Sequence, residues 1–147
     1  MSAREPDPEL LAAAQEIHLR AYCPYSHYRV GAAIRTSSGA VVVGCNVENA
    51  AYPLGSCAEA GAIAAMVASG ERAIVEIVVV TDGDEPGTPC GGCRQRIREF
   101  AEPDAAVHSV GAQGATWSTT LAELLPHSFG PELLGPDLLD TDLLDTD

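Results

Sequence analysis

Three cysteines and one glutamate have the residue types and spacing that metal chemistry needs. Cys90 and Cys93 are three positions apart, which places both sulfurs on one face of a first helical turn. Cys57, about thirty residues earlier, can supply a third thiolate from a facing helix. Three protein ligands leave the fourth position of a zinc site open to water, as a catalytic site requires. Glu59 lies two residues beyond Cys57, where it can carry a proton to or from that position.

The residues before these cysteines predict that both cysteine segments are helix starts. Ser56 is a favourable N-cap for a helix opening at Cys57, and Pro89 suits the first position of a helix that carries Cys90. The free N–H groups and the positive dipole end of a helix start lower the pKa of a cysteine, which favours the thiolate that binds metal. We therefore expect two helix N-termini to meet at the metal.

Two other interpretations of the same residues stay open. Ser56 and Glu59 have the spacing of a capping box, in which the glutamate bonds back to the N-cap amide and takes no part in catalysis. A Cys-x-x-Cys pair also occurs in redox sites and in structural zinc modules, and a structural module needs a fourth ligand. Cys23 and Cys45 are the only spare thiols for that role, in a protein that would bind a partner through its acidic surface.

The charge distribution favours a small-molecule substrate. The formal net charge is −13, and residues 131–147 contain six acidic residues and no basic one. A protein that binds a nucleic-acid polymer needs a basic track to displace counterions, and the only concentration of base here is Arg94, Arg96 and Arg98 beside the metal motif. The sequence has no lysine, which excludes Schiff-base catalysis and a P-loop.

The cysteine count and the missing targeting signals predict a cytoplasmic protein. Five cysteines are an odd number, and metal-binding thiols must stay reduced, so a disulfide scaffold is not expected. No apolar run is long enough to span a membrane, and the N-terminus lacks the pattern of a signal peptide. The length of 147 residues fits one domain with its own core.

Hydrophobic periodicity and turn residues predict an α/β fold. Helices are expected at 8–21, 57–69, 91–101 and 119–125, and strands at 30–36, 40–46, 75–80 and 105–110. The helix at 57–69 is nearly all small and apolar, so it should be buried on most sides and stop at Gly70. His18 is expected to be a packed or half-exposed core histidine rather than a ligand. Strands that alternate with helices predict three α/β/α layers around a mixed sheet of about five strands.

The C-terminal residues differ in composition from the rest of the chain. They contain a tandem repeat of Asp, Leu, Leu, Asp and Thr, and five residues is neither a helical nor a strand period. Acidic, repetitive segments of this kind are typical of disordered chain. We therefore predict a zinc domain over residues 1–131 and an acidic tail over residues 132–147.

Asn46 and Glu48 follow the second predicted strand and precede the first metal segment. Residues two apart point to the same side of an extended chain, so an amide and a carboxylate can bind the vicinal hydroxyls of one sugar. The alternative is a solvated polar face at a sheet edge. Their position just before Cys57 favours the binding role.

Five sequence blocks are similar, in order, to those of the small, single-domain, zinc-dependent cytidine deaminases. The resemblance runs from about residue 10 to residue 131, and the matching blocks lie at 22–33, 46–52, 57–59, 89–95 and 124–129. A non-ligand glutamate two residues after the first ligand, followed by Pro-Cys-x-x-Cys, is typical of zinc nucleobase deaminases. The resemblance implies hydrolysis of the 4-amino group of cytidine and deoxycytidine, as free nucleosides, to uridine and deoxyuridine. A deaminase of another aminopyrimidine nucleoside, such as a nucleoside antibiotic, is the alternative.

The resemblance also implies a role for each matched residue. One zinc ion per subunit would be bound by Cys57, Cys90 and Cys93, with Glu59 as the proton shuttle. The substrate would be bound by Asn46, Glu48, Tyr28 and Ala58, and Tyr28 takes the place of a family phenylalanine. The family works in pyrimidine salvage and is usually a homotetramer, in which residues at the positions of Tyr52 and Phe129 contribute to a neighbour's active site.

One position departs from the family pattern. Family members commonly have arginine directly after the catalytic glutamate, where it bonds to the thiolates and offsets their charge, whereas this chain has Ala60. Arg94, next to Cys93, is the candidate for partial compensation. We therefore expect the zinc water to be less acidic than usual, with the ligands and the base unaffected.

Overall fold

The computed structural model describes residues 4–135, and one mixed sheet is its framework. The strands are β1 (Val30–Thr36), β2 (Val41–Cys45), β3 (Ile74–Thr81), β4 (Ala101–Val110) and β5 (Thr116–Thr120). Their order in the sheet is β2-β1-β3-β4-β5. Only β3 and β4 pair in parallel, and the other three pairs are antiparallel.

Helices cover both faces of this sheet. They are α1 (Pro8–His18), α2 (Ala58–Ala68), α3 (Gly91–Phe100) and α4 (Leu121–Leu124), and 3₁₀ turns lie at Tyr52–Leu54 and Pro131–Leu133. Side chains of α1 pack with Val78 and Val80 on one face, whereas α2, α3 and α4 pack with Ile77 and Val79 on the other. Successive residues of β3 therefore pack into cores on opposite faces of the sheet, which confirms the predicted α/β/α arrangement.

Close packing of α2 on the sheet depends on Gly44 in β2. A Cβ atom at Gly44 would overlap the backbone nitrogen of Ala62, so no larger residue fits there without a backbone shift. The helix ends as the sequence predicts, since Gly70 has a φ of 95° and its N–H donates to the Val67 carbonyl. This packing fixes the N-terminal end of α2, where Cys57 is located.

Several predicted elements differ from the observed ones. The first helix ends at His18 rather than 21, and β4 begins at Ala101 rather than 105. Strand β5 was not predicted, and its last residues were assigned to a helix at 119–125. The observed helix there is only α4, whose capping box joins Thr120 and Glu123. Threonine and tryptophan favour an edge strand over a helix before that cap.

The prediction that the second helix is buried on most sides is wrong for one face. Ala58, Glu59 and Met66 are buried, but Ala64, Ala65 and Ala68 are exposed. Small apolar residues do not reveal which face of a helix is covered, because a helix made almost entirely of them has little periodicity. His18 is buried as predicted, against Asp82.

The domain boundary remains a prediction. Most of the predicted tail, residues 136–147, lies outside the described part of the chain. Glu132, at its start, pairs with Arg98 of α3. Within residues 4–135, no helix has the length and apolar character needed to cross a membrane.

Candidate active site

Three cysteine thiols meet where the N-termini of α2 and α3 converge. Cys57 and Cys90 are the N-cap residues of these helices, and Cys93 lies in the first turn of α3. The three sulfurs all lie within 4.8 Å of one another, and the Cys57 and Cys90 sulfurs are 3.9 Å apart. Tetrahedral zinc with Zn–S bonds of about 2.3 Å requires sulfurs about 3.8 Å apart. The group therefore fits one zinc ion.

The start of α2 differs from the prediction that Ser56 caps it. Cys57 itself is the N-cap, with extended backbone angles, and its side chain makes no capping hydrogen bond. The Ser56 hydroxyl lies 3.4 Å from the Cys57 carbonyl oxygen instead. Glu59 is then the second helical residue and not the third, so the capping-box interpretation is wrong. Pro89 likewise precedes the N-cap of α3 rather than occupying its first turn.

The pKa values of the three thiols do not follow the predicted common direction. The backbone N–H of Cys93 lowers the pKa of Cys90, as expected for a helix start. Burial raises the pKa of both Cys57 and Cys93. The neighbouring Cys57, Cys90 and Glu59 add to the rise at Cys93, whereas at Cys57 the hydrogen bond with Cys93 opposes it. Three thiols and a carboxyl group this close cannot all ionise unless a cation offsets their charge. This donor set is therefore suited to a divalent ion.

Glu59 is buried next to this group, with 4% of its surface exposed. Burial raises the pKa of its carboxyl group, while the Cys93 thiol and the charge of Arg96 act in the opposite direction. Glu59 also lines a cavity of about 670 Å³ together with Cys57 and Cys90. A carboxyl group with a raised pKa at the floor of an open cavity is suited to both accepting and donating a proton.

Asn46 and Glu48 both line this cavity, and they also have a structural role that the sequence did not reveal, while their binding role stays a prediction. The Asn46 amide accepts a hydrogen bond from the Val30 N–H at 2.8 Å and donates one to the Tyr28 carbonyl at 2.8 Å. Oε1 of Glu48 accepts the N–H groups of Tyr25 and Ser26, at 3.0 and 3.1 Å. The pKa of Glu48 is lowered mainly by the side chain of Ser26, and the two backbone bonds add to this effect. Both side chains therefore hold the loop at 25–30.

Of the three aromatic residues that the sequence predicts for the site, two line the cavity and one does not. Tyr28 and Tyr52 line the cavity, as does Tyr25, which the sequence did not single out as a site residue. The rings of Tyr25 and Tyr52 make an edge contact with centroids 5.7 Å apart. Phe129 is 57% exposed and is not part of the cavity wall. Ala58 is fully buried and also lies outside that wall, so its binding role stays a prediction.

Arg94 makes three contacts at the start of α3. Its guanidinium donates to the carbonyl groups of Pro89 at 2.8 Å and Leu124 at 3.0 Å, and to the Thr88 hydroxyl at 3.3 Å. These bonds join α3 to α4. Compensation of the thiolate charge by Arg94 stays a prediction, since its hydrogen bonds go to other groups.

The spare thiols do not complete a closed metal site. Cys23 and Cys45 are half-buried, and within residues 4–135 neither belongs to the group of potential metal ligands. A structural zinc ion would need a fourth protein ligand. The observed three-thiol group leaves a position that faces the cavity, as a catalytic zinc site requires.

Known proteins with similar sequences and folds are cytidine deaminases. The family profile described as "Cytidine and deoxycytidylate deaminase zinc-binding region" matches residues 4–109. The cytidine deaminase of Sporosarcina psychrophila is 40% identical over 124 residues, which cover 84% of this chain and 91% of that protein. The cytidine deaminase of Halalkalibacterium halodurans is 41% identical over 123 residues, covering 84% and 93%.

A solved structure agrees with these sequence relatives. The crystal structure of cytidine deaminase from Burkholderia pseudomallei superposes with a TM-score of 0.80 at 40% identity, covering 85% of this chain and 100% of that one. The matched profile region includes the three thiols and Glu59. From the profile match, the similarity to curated relatives over most of the sequence and the zinc-binding geometry, we conclude that the chain belongs to the cytidine and deoxycytidylate deaminase zinc-binding family.

Proposed function

We propose that this protein is a zinc-dependent deaminase that converts cytidine and deoxycytidine to uridine and deoxyuridine and releases ammonia. The observation that carries the proposal is a buried glutamate, Glu59, beside three thiols at the floor of an open cavity. The cytidine deaminases of similar sequence and fold support the choice of cytidine. Free nucleosides suit the cavity and the strongly acidic charge of the chain better than a nucleic-acid polymer does.

The chemistry follows from the position of Glu59. Zinc, when bound by Cys57, Cys90 and Cys93, supplies a Lewis acid that makes a water acidic enough to act as a nucleophile near neutral pH. Glu59 accepts the proton that this water loses and delivers it to N3 of the cytosine ring. The oxygen of the water forms a bond to C4. Glu59 then takes the second proton from this new hydroxyl group and delivers it to the 4-amino group, so that the C4–N bond breaks, ammonia leaves and the oxygen remains on C4 as a carbonyl. The raised pKa of Glu59 suits both transfers.

Substrate recognition is assigned mainly to other residues that line the cavity. The Asn46 amide and the second carboxylate oxygen of Glu48 are the polar groups proposed to bind the ribose hydroxyls. Tyr28 is proposed to contact the substrate from the loop that these two residues hold in place. Ala58, at the start of α2, is proposed to bind through its backbone, because its side chain is buried in the core.

We also propose a homotetramer in which neighbouring subunits complete each active site. Large apolar side chains are exposed on the surface: Tyr52, which lines the cavity, Leu54 and Phe129 are 76%, 72% and 57% exposed. Exposed aromatic residues at a site rim are typical of surfaces that a partner covers. The need for reduced thiols favours the cytoplasm, where such an enzyme would act in pyrimidine salvage.

Purified protein tests the reaction directly. We expect ammonia and the corresponding uracil nucleoside from cytidine and deoxycytidine, and none from free cytosine, which lacks the sugar. Removal of zinc with a chelator should abolish turnover, and added zinc should restore it. Release from a modified aminopyrimidine nucleoside alone would move the substrate assignment to that compound. Zinc-loaded protein that releases ammonia from none of these nucleosides would refute the proposed function.

A further inference from the structure

Asp82 connects three parts of the molecule beside the cavity. It follows the last residue of β3 and begins the loop at 82–88 that leads to Cys90. Its Oδ1 lies 2.9 Å from Nε2 of His18, at the end of α1. Its Oδ2 accepts two hydrogen bonds from Arg29, one from the backbone N–H at 2.9 Å and one from Nε at 3.1 Å. One carboxylate therefore joins α1, the sheet and the loop at 25–30.

The Arg29 contact completes the attachment of the loop that carries Tyr28. Glu48 binds the N–H groups at residues 25 and 26, and Asn46 binds the N–H at residue 30. Asp82, from the end of β3, binds the N–H at residue 29. The backbone on both sides of Tyr28 is thus bound by side chains from different elements, which leaves the loop little freedom.

The Tyr28 ring is also enclosed by the loop that Asp82 begins. A Cβ atom at Gly87 would lie 2.8 Å from the Tyr28 hydroxyl oxygen, and one at Gly83 would lie 3.8 Å from it. The ring therefore lies against Gly87 closely enough that a methyl group there would displace it. Loop 82–88 and loop 25–30 contact each other through Asp82 at one point and through Tyr28 at another.

We propose that Asp82 is a positioning residue that fixes Tyr28 in the wall of the substrate cavity and thereby sets the affinity for the nucleoside. The inference rests on the proposed function, because Tyr28 has a substrate only if the cavity binds one. Asp82 does not line the cavity, so it acts through Arg29 and Tyr28 and not by contact with the substrate. Preorganisation of this kind reduces the entropy lost on binding.

The first test compares two variants that remove different parts of the contact. Asp82→Ala removes the oxygen that accepts both hydrogen bonds from Arg29, whereas Arg29→Gln removes only the guanidinium contact and keeps the backbone N–H that Asp82 binds. We expect Asp82→Ala to raise KM for cytidine about tenfold or more with a smaller change in kcat and unchanged zinc content. Arg29→Gln should change KM by less than about threefold. An equal KM for Asp82→Ala and wild type would overturn the proposal, as would loss of zinc from Asp82→Ala.

A second readout does not depend on catalysis. Amide hydrogen exchange of the substrate-free protein should be faster over residues 25–30 in Asp82→Ala than in wild type, and unchanged in β3 and β4. If wild type proves inactive, the proposed function fails while this measurement still reports on Asp82. If wild type is active and exchange at 25–30 is unaltered, the positioning role is refuted and the function stands.

A third test keeps the inference falsifiable if Asp82→Ala does not fold. A Cβ at Gly87 would approach both the Tyr28 hydroxyl and Cγ2 of Thr81 at 2.8 Å, so the series is built on Thr81→Ser, which lacks that methyl group. Adding Gly87→Ala to Thr81→Ser should raise KM for cytidine about tenfold. Adding Tyr28→Phe to that double variant removes the hydroxyl group and should lower KM again by at least about threefold. Gly83→Ala is the matched control with little expected effect on KM, because its Cβ would lie 3.8 Å from the Tyr28 hydroxyl oxygen and 3.3 Å from the carbonyl oxygen of Glu85. Failure of Tyr28→Phe to recover any affinity would contradict the enclosure of Tyr28 by this loop.

Discussion

Two glutamates on opposite faces of the sheet are almost equally buried but have different surroundings. Glu59 is 4% exposed and faces the cavity and the three thiols, and Glu76 is 3% exposed on the α1 side. Oε1 of Glu76 accepts the Asp7 N–H at 2.9 Å and lies 3.3 Å from Nε2 of His108, and its Oε2 lies 3.7 Å from Arg4. Both oxygens of Glu76 therefore have partners within the protein, whereas Glu59 faces a space that a substrate can enter.

The comparison shows that burial alone does not distinguish a carboxylate that stabilises the fold from one that can transfer a proton. A buried carboxylate whose oxygens are bound by the protein stabilises the fold, because removing it leaves its partners unpaired. A buried carboxylate that faces a cavity is available for proton transfer, and burial raises the pKa of Glu59 although Cys93 and Arg96 act in the opposite direction. Glu76 is therefore assigned to stability and Glu59 to catalysis.

The largest expected effect comes from removing the metal beside Glu59. Cys93→Ala deletes the buried ligand, so the protein should retain little zinc, and turnover should fall by about three orders of magnitude or more, which corresponds to about 4 kcal/mol. Metal analysis and initial rates measure both quantities. Cys23→Ser, which changes a thiol outside the metal group, is the control and should keep its zinc. A Cys93→Ala protein with full zinc content would show that the ligand set is wrong.

A smaller effect, on stability and not on turnover, is expected at Glu76. Glu76→Gln keeps the shape of the side chain but removes the charge that faces His108 and Arg4, so we expect the free energy of unfolding to fall by about 1–3 kcal/mol. Turnover at 25 °C should stay within about twofold of wild type. Urea unfolding and steady-state rates measure the two quantities. If folded, zinc-loaded Glu76→Gln protein lost its turnover, the assignment of Glu76 to stability alone would be contradicted.

The smallest expected effect is a pH dependence of stability from His108. Burial lowers the pKa of this histidine below its ordinary 6.5, while Glu76 and Glu5 act to raise it and Arg4 to lower it further. The folded state therefore favours the neutral ring, and this contribution is present above pH 6.5 and lost as the pH falls towards the lower folded value. Wild type should lose more stability than His108→Gln between pH 7.5 and 5.5, at most about 1.4 kcal/mol per pH unit. Urea unfolding at both pH values measures this difference. If wild type and His108→Gln lose the same free energy of unfolding between them, the role of His108 is contradicted.

Local sequence patterns were sufficient to predict the layers and the metal group. Alternation of strands and helices gave the α/β/α arrangement, and the spacing of Cys57, Cys90 and Cys93 with Glu59 gave a group that the structure brings together. Both depend on residues close in sequence or on a motif with few other uses. The predicted helix start at Cys57 was wrong by one residue, because a cysteine of the three-thiol group occupies the N-cap position in place of the better capping serine.

Contacts between distant residues were not predictable in the same way. His108 pairs with Ser118 across β4 and β5, and its ring contacts Glu76 in β3, so this cluster exists only once the strand register is set. The loop contacts of Asn46 and Asp82 span 16 and 53 residues of sequence and give no local signal. Strand β5 was missed for a similar reason, since an edge strand depends on its neighbour more than on its own residues.

The most direct test of zinc-dependent deamination by this site is a comparison of Glu59→Gln with wild type. Glutamine keeps the size of the side chain and removes the group that carries the proton. We predict that turnover of cytidine falls by about two orders of magnitude or more, while zinc content and melting temperature stay at the wild-type values. Glu59→Gln protein that retains its zinc, its melting temperature and near-normal turnover would contradict the assignment of Glu59 as the catalytic proton carrier.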